Sequence, residues 1–185
     1  SISLNKVETI GSNAFALSGL ESIVITENVN VIQEKAFSSC TNLTTFEYPN
    51  KEIIFETNIL EGCSGLKTIK INGEGNMINF ESDKQPWNSV RNSIETVTFG
   101  EGIKSIGNNT FEKITTLKAI EWNEEITTIG NNAFSGCSGI ETLTIPDQVT
   151  TIGKQSFSDC EKIKTITFGT ENRKLNKISE EAFLN

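Results

Sequence analysis

The four cysteines are the side chains open to the widest chemistry, since cysteine can bind zinc, form disulfides or act as a nucleophile. Cys40 and Cys63 lie 23 residues apart, as do Cys137 and Cys160. This spacing lacks the C-x-x-C pairs of zinc sites, and thiols stacked in one column point the same way, which disfavours a disulfide. We therefore expect four buried free thiols that serve as small apolar side chains.

The remaining groups that support catalysis or metal binding are scarce. The 185-residue chain has no histidine, so it lacks the commonest general base and metal ligand. Its three aspartates, Asp83, Asp147 and Asp159, form no D-x-D calcium loop, and the glutamates form no phased cluster. The sequence therefore predicts that the protein is not an enzyme and has no cofactor.

Composition also narrows the class of partner. The formal net charge is −8 and the isoelectric point is near 4.7, whereas nucleic acids and anionic membranes attract clustered cations. No apolar run approaches the ~18–20 residues that cross a bilayer. We therefore expect neither nucleic-acid binding nor direct membrane insertion by this segment. Because the chain begins with Ser1, we also expect it to come from a longer protein, which would hold any secretion signal or anchor.

A repeat of about 23 residues organises the whole chain. The segment Ile129-Gly-Asn-Asn-Ala-Phe134-Ser-Gly-Cys137 aligns with Ile152-Gly-Lys-Gln-Ser-Phe157-Ser-Asp-Cys160. The same frame places a large apolar residue in each of eight copies: Phe15, Phe37, Leu60, Trp87, Phe111, Phe134, Phe157 and Phe183. Repeats of this kind stack into a solenoid, in which each coil is buried only by its neighbours. We expect residues 1–185 to form one domain of about eight coils, the first and last incomplete.

Each repeat contains the signal of a half-buried strand. In Leu143-Thr144-Ile145, for example, apolar and polar residues alternate. Stacked in register, these strands would form one parallel sheet with one main strand per coil. The stretch from Val149 to Ile152 predicts a second short extended segment on the opposite wall. The segment between them is too short for a long helix, and we expect one helical or 3₁₀ turn that buries its Ala and Phe.

The unit V-x-x-I-G-x-x-A-F-x-x-C-x-x-L-x-x-I-x-I-P is nearly complete from Ile126 to Pro146. It resembles the BspA-like leucine-rich repeats, also called the Treponema pallidum type, over essentially all 185 residues. This resemblance implies a β-rich leucine-rich-repeat solenoid from the cell surface of bacteria, spirochaetes or parasitic protists. It also implies adhesion to other cells or to host extracellular-matrix proteins such as fibronectin or fibrinogen.

Two repeats depart from the pattern. In the third, Ile59-Leu60 replaces Ala-Phe, and in the fourth, Trp87 and Val90 take the Phe and Cys positions. We expect Trp122 in the core, because it falls on the inward phase of its strand. Trp87 is expected in the core as well, with partial exposure as the alternative.

Two segments are longer than the repeat allows. Residues 72–92 make the fourth coil irregular, and residues 169–177 carry three cations, Arg173, Lys174 and Lys177. Insertions in repeat arrays often lie at a binding edge. A surface loop that the fold merely tolerates is the alternative.

The outward side chains of the main strands form the predicted binding surface, which we call the main-sheet face and expect to be concave. Its candidate ligand-binding residues are Thr45, Glu47, Thr68, Lys70, Thr96, Thr98, Glu121, Thr142, Thr144, Thr165 and Thr167. Threonine also suits exposed strand positions for its β propensity, so a purely structural role is the alternative. Ice binding is disfavoured because Ala119 and Glu121 interrupt the threonine array.

The sequence thus favours a non-catalytic protein-binding module, with two alternatives left open. One is an intracellular interaction scaffold, since leucine-rich repeats also serve inside cells. The other is a carbohydrate-active enzyme on a parallel β-helix, which would need acids and bases clustered in one groove. Both ends of the chain look cut within a coil, at Ile2-Ser-Leu4 and after Ala182-Phe183, so we also expect end-to-end self-association.

Overall fold

The chain winds into a solenoid whose coils are held by two walls of parallel strands. The computed structural model describes residues 4–169 and 174–185. Strands alternate between the walls along the chain: β1 (Thr9–Ile10), β2 (Ser22–Val24), β3 (Val31–Ile32), β4 (Thr45–Pro49), β5 (Ile54–Phe55), β6 (Thr68–Asn72), β7 (Gly75–Asn76), β8 (Thr96–Phe99), β9 (Ile103–Ile106), β10 (Ala119–Glu121), β11 (Thr128–Ile129), β12 (Thr142–Ile145), β13 (Thr151–Ile152), β14 (Thr165–Phe168) and β15 (Lys177–Ile178). The even-numbered strands form the main wall and the odd-numbered strands form the second wall.

Neighbouring coils pair in the register that the repeat predicts. In the main wall, Phe46 lies beside Ile69, which in turn lies beside Val97. In the second wall, Ile129 lies beside both Ile106 and Ile152. The predicted leucine-rich-repeat fold is therefore confirmed, with one main strand per coil and a short second strand on the opposite wall.

Within the described residues, each wall is interrupted once, at different coils. The main wall consists of a five-stranded sheet, β2 to β10, and a separate pair, β12 and β14. We call the gap between β10 and β12 the seam. The second wall divides between β5 and β7, where the longer segment 72–92 enters. The seam follows Trp122, whose wide indole lies half-buried between the rings of Phe99 and Phe134 at 6.0 and 5.8 Å.

The turn that carries the Phe position is not helical, contrary to expectation. Residues two before and two after the Phe adopt left-handed backbone conformations, such as Asn132 (φ 53°) and Gly136 (φ 74°). A right-handed helical turn cannot contain them. Alternate N–H groups of the turn bond instead to the next coil, with Asn132 and Phe134 donating to Lys154 O and Ser156 O at 2.9 and 2.8 Å, while those between them bond within the turn. The turns thus form a third ladder between coils, and the only 3₁₀ helix among the described residues is Asn88–Ser93.

Aromatic rings form a column through the core, which is interrupted at Leu60 in the third coil. Phe134 lies 5.4 Å from Phe111 and 5.3 Å from Phe157, with the ring planes within 16° of parallel. Trp87 occupies the same column, 5.4 Å from Phe111, and only 1% of it is exposed. The predicted core position of Trp87 is therefore confirmed, whereas Trp122 packs against the core but is only half-buried.

The four cysteines are buried free thiols, as predicted. Each Sγ donates a weak hydrogen bond to a carbonyl of the preceding coil; Cys63 bonds Phe37 O at 3.0 Å, and Cys160 bonds Phe134 O at 3.3 Å. Burial raises the pKa of Cys63 to about 11 and that of Cys160 to about 12, which suppresses the reactive thiolate. The position is filled by other small side chains elsewhere, with Ser18 in the first coil, where its Oγ lies 3.2 Å from Cys40 Sγ, and Val90 in the fourth.

The longer segment 72–92 is part of the core. Its buried side chains include Met77, Phe80 and Trp87. The loop is anchored by Glu112, whose Oε1 accepts hydrogen bonds from Ser82 Oγ and the Asp83 N–H, both at 2.6 Å. Of the second long segment, 169–177, residues 170–173 lie outside the described residues, as do residues 1–3 of the first coil.

Removing a ring from the middle of the column tests the assignment of the core. Phe134→Ala deletes a fully buried ring that is stacked on both sides, and it should lower the free energy of unfolding by about 3–5 kcal/mol. Phe183→Ala is the matched control, because this ring is half-buried and stacks at 5.4 Å on Phe157 alone. Urea unfolding followed by circular dichroism measures both. A cost below about 1 kcal/mol for Phe134→Ala would contradict the column.

The Ile-Gly pair of the repeat marks a close approach between coils. A Cβ on Gly130 would lie 2.8 Å from Ile106 O and 2.8 Å from Gly107 C of the preceding coil. A Cβ on Gly19 would meet no atom of the described structure within 4 Å. Gly130→Ala should therefore cost about 1–3 kcal/mol in unfolding free energy through overpacking, while Gly19→Ala should cost far less. Equal urea midpoints for the two variants would show that the coils do not approach so closely.

Candidate binding surface

The parallel register places the predicted face residues in two rows across the main wall. Thr45, Thr68 and Thr96 lie side by side in one row. The second row contains Glu47, Lys70, Thr98 and Glu121. Beyond the seam, Thr142 pairs with Thr165 and Thr144 with Thr167. The structure therefore brings the eleven residues together as two groups, one on each side of the seam.

Exposure increases along the main-sheet face, from β8 to β10. Face residues on β4, β6 and β8 are half-buried, whereas those on β10, β12 and β14 are exposed. The charges in the second row are already paired, since Lys70 Nζ lies 3.2 Å from Glu47 Oε2 and Thr98 Oγ1 donates to Glu121 Oε2 at 2.9 Å. The most accessible polar groups of the face are therefore the threonine hydroxyls of β12 and β14.

A third row, which we call the charge ladder, lies just before the main strands. Its members are Glu21, Thr44, Lys67, Glu95, Lys118, Glu141 and Lys164. Glu95 receives Lys67 Nζ at 2.9 Å and Lys118 Nζ at 2.6 Å, and Lys164 Nζ lies 2.9 Å from Glu141. The sequence analysis missed this row, although the alternation of Lys and Glu at the repeat spacing signals it. The ladder gives one edge of the main-sheet face alternating charges.

A cavity lies on the second wall, away from the main-sheet face. It has a volume of about 600 Å³ and lies between β5 and residues 83–89. Its charged rim includes Glu56 and Asp83, and Asp83 is paired with Arg91 at 2.6 Å and Lys113 at 2.7 Å. Among the described residues, no group of three or more acidic or sulfur side chains is placed to hold a metal ion.

The family model of the BspA type leucine rich repeat region matches six copies, over residues 1–83 and 89–185. The chain belongs to the BspA-type leucine-rich repeat family. No curated protein sequence matches the chain. The resemblance inferred from the repeat unit is therefore confirmed, and the irregular fourth coil accounts for the gap between the two matched regions.

Several solved structures resemble this BspA-type solenoid. A leucine-rich repeat protein from Eubacterium ventriosum is 20% identical with a TM-score of 0.54, and the match covers 83% of this chain and 40% of that one. A leucine-rich repeat protein from Bacteroides ovatus is 21% identical with a TM-score of 0.46, and the match covers 91% of this chain and 36% of that one. The T. pallidum leucine-rich repeat protein is 18% identical with a TM-score of 0.49, and the match covers 83% of this chain and 75% of that one. Only the first likeness supports the shared fold, and the chain spans well under half of the Eubacterium and Bacteroides proteins.

In this BspA-type chain the ladder lowers the pKa of its carboxylates. Hydrogen bonds from Lys118 and Lys67 lower the pKa of Glu95 to about 2, and a hydrogen bond from Lys164 lowers the pKa of Glu141. These groups are exposed, so the pairs contribute little to stability and act mainly by fixing the charge pattern of the surface. Within the described residues, no helix is both long and apolar enough to cross a membrane.

The pKa of Glu95 provides a direct test of the charge ladder. Its carboxylate should titrate near pH 2 and not near the usual value of about 4.3. Because the folded-state pKa is depressed, any stabilisation from this group is present above about pH 4.3 and is lost as the pH falls toward 2. Carbon-detected NMR of labelled glutamate measures the titration. Lys118→Gln should raise the midpoint, whereas Lys104→Gln, an exposed second-wall change, should not; an unmoved Glu95 in Lys118→Gln would contradict the ladder.

Proposed function

We propose that this chain is a non-catalytic protein-binding module of a microbial cell-surface or secreted protein. Membership of the BspA-type family supports a protein-interaction repeat module, because the family is defined by its repeat and not by a catalytic site. The scarcity of histidine and aspartate in the sequence supports the same conclusion. The surface location and the adhesive role are extensions of the family resemblance, and host matrix proteins such as fibronectin or fibrinogen are the proposed partners.

The main-sheet face carries the proposed contact. Its side chains project from strands held in register by inter-coil hydrogen bonds, so a partner meets groups that are already positioned. Preorganised side chains lose little conformational entropy on binding, which favours affinity. The threonine hydroxyls beyond the seam supply hydrogen bonds, while the paired charges on β4, β6 and β10 supply orientation and selectivity.

The intracellular scaffold proposed as an alternative would use the same face with a different partner. The β-helix enzyme would require an acid and a base in one groove. The lowered pKa values of the described acidic groups belong to ion pairs with lysines and, at Asp83, also with Arg91, and such pairs favour charged surface carboxylates over a general acid. The protein-binding function is therefore the one that the geometry supports best.

Reversing one charge on the face tests the proposal. Lys70→Glu breaks the pair with Glu47 and should reduce binding to immobilised fibronectin or fibrinogen at least fivefold, as measured by surface plasmon resonance. Lys104→Glu is the matched control, because it changes net charge equally on an exposed residue of β9 in the second wall.

The exchanged pair Glu47→Lys with Lys70→Glu keeps both net charge and ion pair but inverts the local polarity. Binding by the exchanged pair should also fall if the partner reads the charge pattern. Loss of binding in Lys104→Glu alone, or equal binding by all variants, would place the contact elsewhere on the molecule.

A further inference from the structure

The seam is the one place in the described main wall where successive strands are not hydrogen-bonded. Most Cα pairs between β10 and β12 lie more than 8 Å apart, whereas most pairs between hydrogen-bonded neighbours lie within that distance. The same coils remain joined elsewhere, since β9, β11 and β13 stay paired and Phe111 stacks on Phe134 at 5.4 Å. The main wall is therefore open at the seam, while the same two coils stay joined through the second wall and the core.

The two strand edges that face each other across the seam carry unpaired backbone groups. In a parallel strand, the N–H and C=O groups of one residue point toward one neighbouring strand, and those of the next residue point toward the other. Lys164 N donates to Glu141 O and Gly169 N donates to Ile145 O, so the backbone groups of Glu141 and Ile145 point toward β14. The backbone groups of Thr142 and Thr144 therefore face β10. The backbone N–H groups of Lys118 and Lys164 each donate to a carbonyl of the preceding coil. Among the described residues, the N–H of Glu141 at the equivalent position makes no such bond. Free strand edges of this kind bind extended polypeptide.

The seam also exposes part of the core. Ile120 and Trp122 are half-buried, whereas the equivalent Val97 and Phe99 of the preceding strand are 0% and 5% exposed. Their side chains line a cavity of about 240 Å³ between the strands. A volume of this size accepts apolar side chains that project inward from an added strand.

The charge ladder is broken at the same point. Lys67, Glu95 and Lys118 are linked on one side, and Glu141 and Lys164 on the other, but Lys118 and Glu141 form no ion pair across the seam. Both line a cavity of about 530 Å³ that adjoins the first. The opening therefore has a basic group on one side and an acidic group on the other.

The first coils show what fits between two such charges. Thr44 lies in the ladder between Glu21 and Lys67, directly before β4, which pairs with both β2 and β6. Its hydroxyl donates to Glu21 O at 3.0 Å. A neutral polar residue is therefore already accommodated in this row between an acidic and a basic side chain.

We propose that the seam receives one extended segment of the partner protein, which pairs as an additional parallel strand with both β10 and β12. Inserting a strand requires the flanking strands to lie about 9.6 Å apart, twice the usual spacing of about 4.8 Å. Most Cα pairs across the seam already lie more than 8 Å apart. The inserted segment carries small apolar residues at inward positions and a neutral polar residue between Lys118 and Glu141. This inference rests on the proposed function and specifies how that protein partner is recognised.

A peptide with the sequence of residues 43–49 in which valine replaces Phe46 and Tyr48 serves as the probe, because it keeps the Thr44 ladder position and has small apolar residues at the inward positions. Labelled with fluorescein and titrated with the 185-residue chain, it should bind saturably. Amide hydrogen exchange at Ile120 and Thr144 should slow at least tenfold on binding, while exchange at Val97, in a paired strand, should not change. The same peptide N-methylated at alternate residues, and so unable to pair, should not bind.

The free chain is itself informative. Amides of Thr142 and Thr144 should exchange at least tenfold faster than the amide of Val97. Protection equal to that of Val97 without peptide would show that the seam is closed in solution, and it would overturn the proposal.

Removing a backbone donor separates strand pairing from side-chain contact. Thr144→Pro deletes an N–H that faces the seam, whereas Thr144→Val retains it and alters only the outward side chain. The peptide should bind Thr144→Pro at least tenfold more weakly than Thr144→Val, with thermal melting by circular dichroism to confirm that both fold. Equal affinities would overturn the proposal, and if Thr144→Pro does not fold, the exchange measurements on the unaltered chain decide.

Failure of this inference is distinguishable from failure of the proposed function. A matrix protein whose binding falls in Lys70→Glu but is not displaced by the peptide would support the main-sheet face and exclude the seam as its site. A matrix protein displaced by the peptide would support both. Peptide binding with no matrix-protein binding would support the seam while removing the proposed partner.

Discussion

The fold depends on hydrogen bonding between successive coils, because no coil satisfies its own backbone. Main strands, second-wall strands and turns all direct their N–H and C=O groups along the solenoid axis, and the turns do so only because residues such as Asn132 adopt left-handed conformations. The aromatic column and the cysteine thiols follow the same axis. This axial arrangement leaves the side chains that point away from the core free to vary, so one scaffold can present different surfaces without a change of fold.

The axial ladders also require that the coils approach closely and in register. Gly130 is needed where one coil passes over another, and the four cysteines each donate to the coil before them. Departures are accommodated by adding apolar groups, as in the fourth coil, where Trp87 continues the ring column despite the longer segment. The binding surface is therefore rigid for the same reason that the core is, since both are produced by register.

Three features were predictable from the sequence, because each depends on residues a few positions apart. They are the phase of the repeat, the alternation of apolar and polar residues along the strands, and the burial of phenylalanine and cysteine. The left-handed turns were missed, although Asn and Gly four residues apart, as at Asn132 and Gly136, signal them. The charge ladder was missed because its members, such as Glu95 and Lys118, are adjacent only once the register is known. The seam was not predictable from the repeat, since β10 and β12 carry the same apolar phase as the paired strands, and the bulk of Trp122 becomes relevant only in three dimensions.

The two interruptions lie on opposite walls and at different coils, between β5 and β7 on one wall and at the seam on the other. In mechanical terms, the solenoid resembles a beam made of three stiff blocks, joined by the second wall and the turn ladder at the seam and by the main wall between the third and fourth coils. At each boundary one wall is continuous and the other is interrupted, so the boundary bends most easily by widening or narrowing the interrupted wall. Because the interrupted walls lie on opposite sides of the solenoid, the two boundaries bend in opposite directions. A surface built on such a beam can adjust its curvature to a large partner through two small rotations, while each block keeps its internal register.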